Sequence, residues 1–273
     1  MNKILGNNLT KMRILDHNSF LNFSLDLAAK AGNIVRKNFG LGMEKTWKKD
    51  NSPLTVTDTT INSFILQEIK KEFPNHSIHA EEGSLGTDSD YVWVCDPVDG
   101  TVAFSHGIPT STFSLALVHK GECIIGVIFD PFLNRMFYAQ QGKGAFLNKD
   151  RIYVSKNQTL HNTVIGMAWS KESPHDLLAL YGVLKERNVR ILNVGSILYM
   201  GALVACGEFA ATIYPNKKLE DSAVLKIIVE EAGGKVTGLF GEDQRYDQEV
   251  DGHLASNNYL YQELVELIKA HVE

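Results

Sequence analysis

The sequence predicts a mixed α and β chain that changes character halfway. A helix pair and a largely antiparallel sheet come first, and alternating strands and helices follow. Three observations predict it. Apolar residues recur at helical spacing in two early segments. A run of β-branched and aromatic residues interrupted by tight turns occupies the middle. Beyond about residue 160, short apolar strands alternate with helical stretches, the pattern of a parallel α/β layer.

The first element spans 19–39, with Phe20, Phe23, Leu27, Ala31, Ile34 and Val35 on one helical face and Gly40 as the stop. A polar, lysine-rich connection over 42–53 leads to a second helix over 58–73, with Ile61, Phe64, Ile65 and Ile69 inward and Pro74 ending it. A short strand over 77–80 delivers Glu81-Glu82-Gly83 into a loop. Strands over 112–119 and 123–129 flank Lys120-Gly121 as a hairpin, and another strand covers 135–140 before a turn at 142–144. In the second half strands are expected over 163–168, 189–193 and 210–214. A helix capped by Ser173-Pro174 should run to about 187, and further helices cover 196–206 and 221–232, the last ended by Gly233-Gly234. The change in character places one unit over 1–145, an α+β half, and a second over 146–273, an α/β half.

The global numbers bound the function. The 273 residues suffice for a substantial core, and 44% hydrophobic with 22% charged residues is ordinary globular composition. A net charge of −5 gives no argument for a nucleic-acid or anionic-membrane surface, and neither partner is expected. Cys95, Cys123 and Cys206 are widely spaced in apolar runs and read as small core residues. Residues 1–16 lack the apolar core of a signal peptide, and no apolar run reaches the ~18 residues of a membrane span, so a cytoplasmic protein is expected.

The segment 93–101 carries the chemistry. An apolar strand over 91–95 ends in Asp96 and Asp99, which such a strand has no structural use for. Pro97 lacks an N–H, so the segment is expected to turn there instead of continuing the ladder. Gly100 and Thr101 then offer backbone N–H groups where a helical turn could begin, a natural anion site. Paired carboxylates beside an anion site point to hard cations facing a phosphate. Glu81-Glu82, Asp221 and Asp58 are further acidic positions. Taken singly, the first reads as a solvated loop and the other two as helix caps.

As a set, these residues resemble the inositol monophosphatase family, magnesium-dependent and lithium-sensitive phosphomonoesterases. The W-x-x-D-P-x-D-G-T run is matched by Trp93 to Thr101, the upstream acidic pair by Ala80-Glu81-Glu82, and P-V-T-x-x-D by Pro53 to Asp58. Gly126 to Pro131, Gly142 to Asn148, Glu220-Asp221-Ser222-Ala223 and Glu231 to Gly234 match further family stretches, in order, over roughly 20–268. The resemblance implies a layered α-β-α-β-α sandwich of the sugar-phosphatase type. It implies two or three Mg²⁺ ions held by Glu81, Asp96, the Val98 carbonyl, Asp99 and Asp221, with Asp96 shared between two of them. It gives Thr101, with Asp58 and Glu81, the handling of the attacking water. Asp99, Gly100, Thr101, Gly195, Ser196 and Tyr214 would border the substrate, a small phosphorylated metabolite, and a homodimer is implied.

This chain departs from the family pattern around the alcohol half of the substrate. Glu220 stands where a tryptophan is usual and is expected to face solvent; Ser222 replaces an alanine, and Ala103 an asparagine. Ile197 and Leu198 are bulkier than the usual alanines, and Tyr214 stands where inositol-specific members carry an acid. Lys217-Lys218 could serve a second anionic group or a solvated loop. The expected activity is hydrolysis of a small polyol or sugar phosphate, with inositol 1-phosphate the nearest guess. Fructose 1,6-bisphosphate, 3′-phosphoadenosine 5′-phosphate and histidinol phosphate are the sibling alternatives, and a non-catalytic phosphate-binding module is the rival of another class.

Overall fold

The computed structural model describes residues 17–49, 51–86 and 89–272; the amino-terminal stretch read as lacking a signal peptide lies outside the described residues. In chain order the elements are α1 (His17–Asn38), β1 (Thr46–Trp47), β2 (Pro53–Leu54), α2 (Val56–Glu72), β3 (Ser77–Ala80), β4 (Tyr91–Asp99), α3 (Thr101–Ser105) and β5 (Thr112–His119). Next come β6 (Glu122–Asp130), β7 (Arg135–Gln140), β8 (Gly144–Leu147), β9 (Asp150–Arg151), β10 (Val164–Met167), α4 (Leu178–Glu186), β11 (Arg190–Leu192) and α5 (Ile197–Ala205). The chain closes with β12 (Ala211–Tyr214), a 3-10 turn (Leu219–Asp221), α6 (Ala223–Glu231), β13 (Gly234–Thr237), β14 (His253–Asn257) and α7 (Tyr261–His271).

Two mixed sheets hold β3 to β14, while β1 and β2 pair as a separate antiparallel ribbon. One holds β3 to β9 in sequence order, antiparallel except for the parallel β3–β4 pair. The other has the order β11-β10-β12-β14-β13. There β10 lies parallel to β11 and β12, but β14 runs antiparallel to both β12 and β13. The second half is therefore only partly the parallel layer expected, because its last two strands form an antiparallel ribbon.

Side-chain alternation along the strands divides the core into three clusters, with a helix pair in each. Trp93 and Cys95 of β4 pack outward with Leu27 and Ala31 of α1 and Ile61 and Ile65 of α2. Val94, between them, points the other way and joins Leu198 of α5, Leu225 and Ile228 of α6, and Ala255 of the second sheet. On the far side Ile213 and Leu254 pack with Leu180 of α4 and with Leu264 and Ile268 of α7. The order is helices, sheet, helices, sheet, helices: the five-layer sandwich expected. Removing fully buried Trp93 would cost about 3–5 kcal/mol, the usual loss for a large core aromatic.

Local departures from expectation have physical causes. Strand β4 does not stop at Pro97 but pairs with β5 again at Asp99, across a register irregularity between Asp96 and Asp99. The missing proline N–H is absorbed by that bulge. Helix α4 starts at Leu178 with no side-chain cap, since the Ser173 hydroxyl instead accepts from the Ser170 N–H at 2.9 Å. Asp221 does not cap α6: it belongs to the preceding 3-10 turn, and Ser222 stands at the cap position.

Candidate metal centre

The bulge in β4 is what gathers the acids. Residues three apart on a regular strand point to opposite faces, yet one carboxylate oxygen each of Asp96, Asp99 and Asp221 lies within 4.8 Å of the others. All three residues are buried. Asp96 is turned back on its own chain, accepting from the Val98 N–H at 3.0 Å. Asp99 is held from both halves of the molecule. The Ile197 and Leu198 N–H groups donate to it at 3.1 and 3.0 Å, Thr112 donates at 3.0 Å, and the Ser196 hydroxyl donates a short bond.

Close approach of two turns makes this possible. Gly100 adopts φ 85, and a Cβ there would lie 2.4 Å from the Gly195 carbonyl oxygen; Gly195 has φ 85 as well. Only glycine accepts both the left-handed backbone and the missing space.

Thr101 opens α3, and its hydroxyl lies 3.1 Å from Asp58 Oδ1 and 2.9 Å from the Val98 carbonyl. Asp58 also completes a capping box with Thr55 at the start of α2. The one carboxylate therefore serves the cap and also receives the Thr101 hydroxyl. Glu81 follows β3, and its Oε1 receives Lys48 at 3.0 Å and Lys218 at 2.9 Å; Lys48 also donates a short bond to Glu82. Lys218 is thus turned to Glu81, while Lys217 stays exposed with Asp251 3.9 Å away.

The electrostatics follow from crowding. Burial pushes the Asp96 carboxyl well above the usual carboxylate range, and Glu81, Asp99, Asp221 and Glu220 push the same way. Burial likewise raises Asp221, with Glu220 adding to it and Lys218 opposing. Asp99 is raised by burial to about 6, although the hydrogen bonds from Ser196, Thr112, Leu198 and Ile197 pull it down. Burial raises Asp58 against the bonds from Thr55 and Thr101. These donors fit a hard divalent cation. All are oxygens, which Mg²⁺ prefers, and their mutual repulsion in a dry setting is relieved by positive charge.

A cavity of about 460 Å³ opens over the acids and takes in Glu81, Val98, Gly100, Thr101, Gly195 and Tyr214 at its lining. Ser196 is not part of that lining: it is fully buried, and its hydroxyl is spent on Asp99. Tyr214, at the end of β12, accepts from Asn216 at 3.0 Å. Glu220 departs from expectation. It is 6% exposed and lies 3.2 Å from the His79 imidazole, because the 3-10 turn rolls its side chain inward against β3. The lining also includes Trp169, Glu172 and Asn193, which the sequence reading passed over because they sit in loops without motif spacing. Lys48 was visible only as one of several lysines in a polar connection.

The whole described chain follows the sequence profile of the inositol monophosphatase family, matched over residues 16–273. The chain belongs to that family. This inositol monophosphatase family member is accordingly a phosphomonoesterase with a buried acidic triad suited to metal. It is 34% identical over 256 residues to a fructose-1,6-bisphosphatase/inositol-1-monophosphatase of Thermotoga maritima, covering 93% of this chain and 97% of that one. It is 32% identical over 228 residues to the Nus factor SuhB of Escherichia coli K12, covering 81% and 85%. Among solved structures, a Thermotoga maritima IMPase superposes with a TM-score of 0.83 at 32% identity, covering 92% and 97% of the two chains. The extragenic suppressor protein suhB of Bartonella henselae superposes at 0.84 with 29% identity, covering 92% and 98%. Among the described residues no helix is long and apolar enough to cross a membrane.

Proposed function

We propose that this protein hydrolyses the phosphate monoester of a small polyol or sugar in a Mg²⁺-dependent reaction, with inositol 1-phosphate as the nearest substrate. The observation that carries the reading is the convergence of Asp96, Asp99 and Asp221 beside a threonine bonded to a buried carboxylate. Glu81, Asp96, the Val98 carbonyl, Asp99 and Asp221 would hold two or three ions. When bound, Mg²⁺ lowers the pKa of a water and balances charge on the phosphate and leaving oxygens.

The chain's own part is orientation and proton handling. The Thr101 hydroxyl has one proton and two acceptors, Asp58 Oδ1 and the Val98 carbonyl, so its lone pairs are left to accept from a water in the cavity. A proton leaving that water passes to Thr101 Oγ1 as the hydroxyl proton moves to Asp58, whose burial makes it a better acceptor than a solvated aspartate. The N–H groups of Gly100 and Thr101 receive phosphate oxygens, and Gly195 and Tyr214 border the alcohol. Li⁺ sensitivity and a homodimer rest on the family resemblance, a cytoplasmic setting rests on the apolar pattern of the sequence, and all three belong to the same proposal.

The Thermotoga relative's double name favours a second substrate, fructose 1,6-bisphosphate. Against it, Lys218, the lysine on the cavity lining, is engaged by Glu81. The relatives named Nus factor SuhB raise a macromolecular partner as a separate role that would leave the acidic centre intact. Phosphate release in Mg²⁺ buffer from inositol 1-phosphate, fructose 1,6-bisphosphate, 3′-phosphoadenosine 5′-phosphate and histidinol phosphate, with EDTA controls, tests the proposal. Release from inositol 1-phosphate that EDTA abolishes is the expected result. Silence on all four sinks it.

A further inference from the structure

The segment that supplies Asp221 is short and is held at its C-terminal end by the Tyr246 hydroxyl, which donates to the Ser222 carbonyl at 3.3 Å. It is a single 3-10 turn, closed by the Asp221 N–H on the Lys218 carbonyl at 3.3 Å and the Ser222 N–H on the Leu219 carbonyl at 3.2 Å. Two side-chain bonds tie it to the end of β3. Lys218 reaches Glu81 at 2.9 Å, and Glu220 meets His79 at 3.2 Å. The pairs run in opposite directions, 79 with 220 and 81 with 218, so the turn is buckled to the strand on both sides of its middle.

Glu220 is the unexpected half of this buckle. Its carboxylate is buried among like charges and pushes both Asp96 and Asp221 upward. A group that only filled space would be apolar, because a buried carboxylate without a partner is costly. Its partner is His79, half-exposed at the strand edge, and the bond between them spans the two elements that carry Glu81 and Asp221. Groups that orient ligands from outside the ligand set commonly change metal affinity 10- to 100-fold when removed.

We propose that the His79–Glu220 pair is a positioning element of the metal centre, fixing the Asp221 turn against the end of β3 that leads into Glu81 and thereby setting divalent-ion affinity. The inference rests on the reading that the acidic cluster binds a divalent cation. The test is Mn²⁺ titration of the intact chain, followed by calorimetry and by the free-ion electron paramagnetic resonance signal. The samples are wild type, His79→Ala, Glu220→Ala, Glu220→Gln and the His79/Glu220 double alanine, with thermal melts in EDTA to verify folding.

Each single alanine is expected to weaken Mn²⁺ about tenfold. The double should be no weaker than either single, the mark of one shared interaction. Glu220→Gln, which can still bond to His79, should recover most of the affinity. Singles within about twofold of wild type, or a double equal to the product of the singles, overturn the proposal. So does Glu220→Gln as weak as Glu220→Ala beside an unaffected His79→Ala, which would make Glu220 a bare charge. If Glu220→Ala fails to fold, His79→Ala and Glu220→Gln decide alone, since His79 is half-exposed. Absence of Mn²⁺ binding by wild type would instead overturn the metal reading itself.

Discussion

The Leu198 N–H donates to Asp99 Oδ2 at 3.0 Å across 99 residues of chain, so a carboxylate on the first sheet sits at the start of a helix in the central layer. Ser196 completes the junction, donating to Asp99 and accepting from the Tyr199 N–H at 3.1 Å as the N-cap of α5. Ser196→Ala should therefore lower stability by about 1–2 kcal/mol, the usual cost of a lost cap, with kcat affected more than KM. Chemical denaturation and steady-state kinetics check it. A selective rise in KM with unchanged stability would instead return Ser196 to the substrate-binding role.

Asp96→Asn should reduce turnover by several orders of magnitude while the metal-free protein melts at the same temperature or higher. The carboxyl is raised by burial and by Glu81, Asp99 and Asp221, so neutralising it relieves repulsion in the absence of metal. Melting curves in EDTA and initial rates in Mg²⁺ read the two effects separately. Near-native turnover would remove Asp96 from the metal centre.

The pH dependence has a definite sign. Asp99 moves from an ordinary 3.8 to about 6, so the folded chain binds this proton more tightly than the unfolded chain. Its contribution in EDTA is fully present at acid pH and is lost as pH rises from about 4 through about 6. Asp99→Asn should lack that slope, which a comparison of melts over this range will show. With Mg²⁺ present protons compete for the same oxygens, so metal affinity should fall as pH drops.

Thr101→Ala should lower kcat by about 10²- to 10⁴-fold, the range of positioned acid–base groups, with little change in KM. Thr101→Ser keeps the hydroxyl and should recover much of the rate. A large KM change at constant kcat would make Thr101 a binding residue.

Gly100→Ala should be damaging out of proportion to one methyl group. The added carbon meets the Gly195 carbonyl oxygen 2.4 Å away, on a backbone with φ 85. Overpacking and the positive φ together are expected to cost about 2–4 kcal/mol and most of the activity. A variant with native stability would show that the 100–195 contact can yield.

Most elements were legible because their signals are local. The apolar spacing of α1 and α2, the hairpin at Lys120-Gly121 and the strand feeding Asp96 depend on neighbours within a few residues. The C-terminal ribbon of β13 and β14 was missed because its pairing is long-range and its strands are short. Glu220 was misjudged because the direction of a side chain on a single 3-10 turn is decided by what lies across from it, here His79.

By itself, the sequence determined the family, since its motifs are carried by residue identity and order, and through that resemblance it implied the layered fold. The tertiary structure decided what each polar group is committed to. It spent Ser196 on Asp99, turned Lys218 to Glu81, drew Glu220 inside and let Asp58 serve both a cap and Thr101. Such commitments depend on partners brought from the other sheet, and on distances below about 3.5 Å that spacing along a chain does not encode.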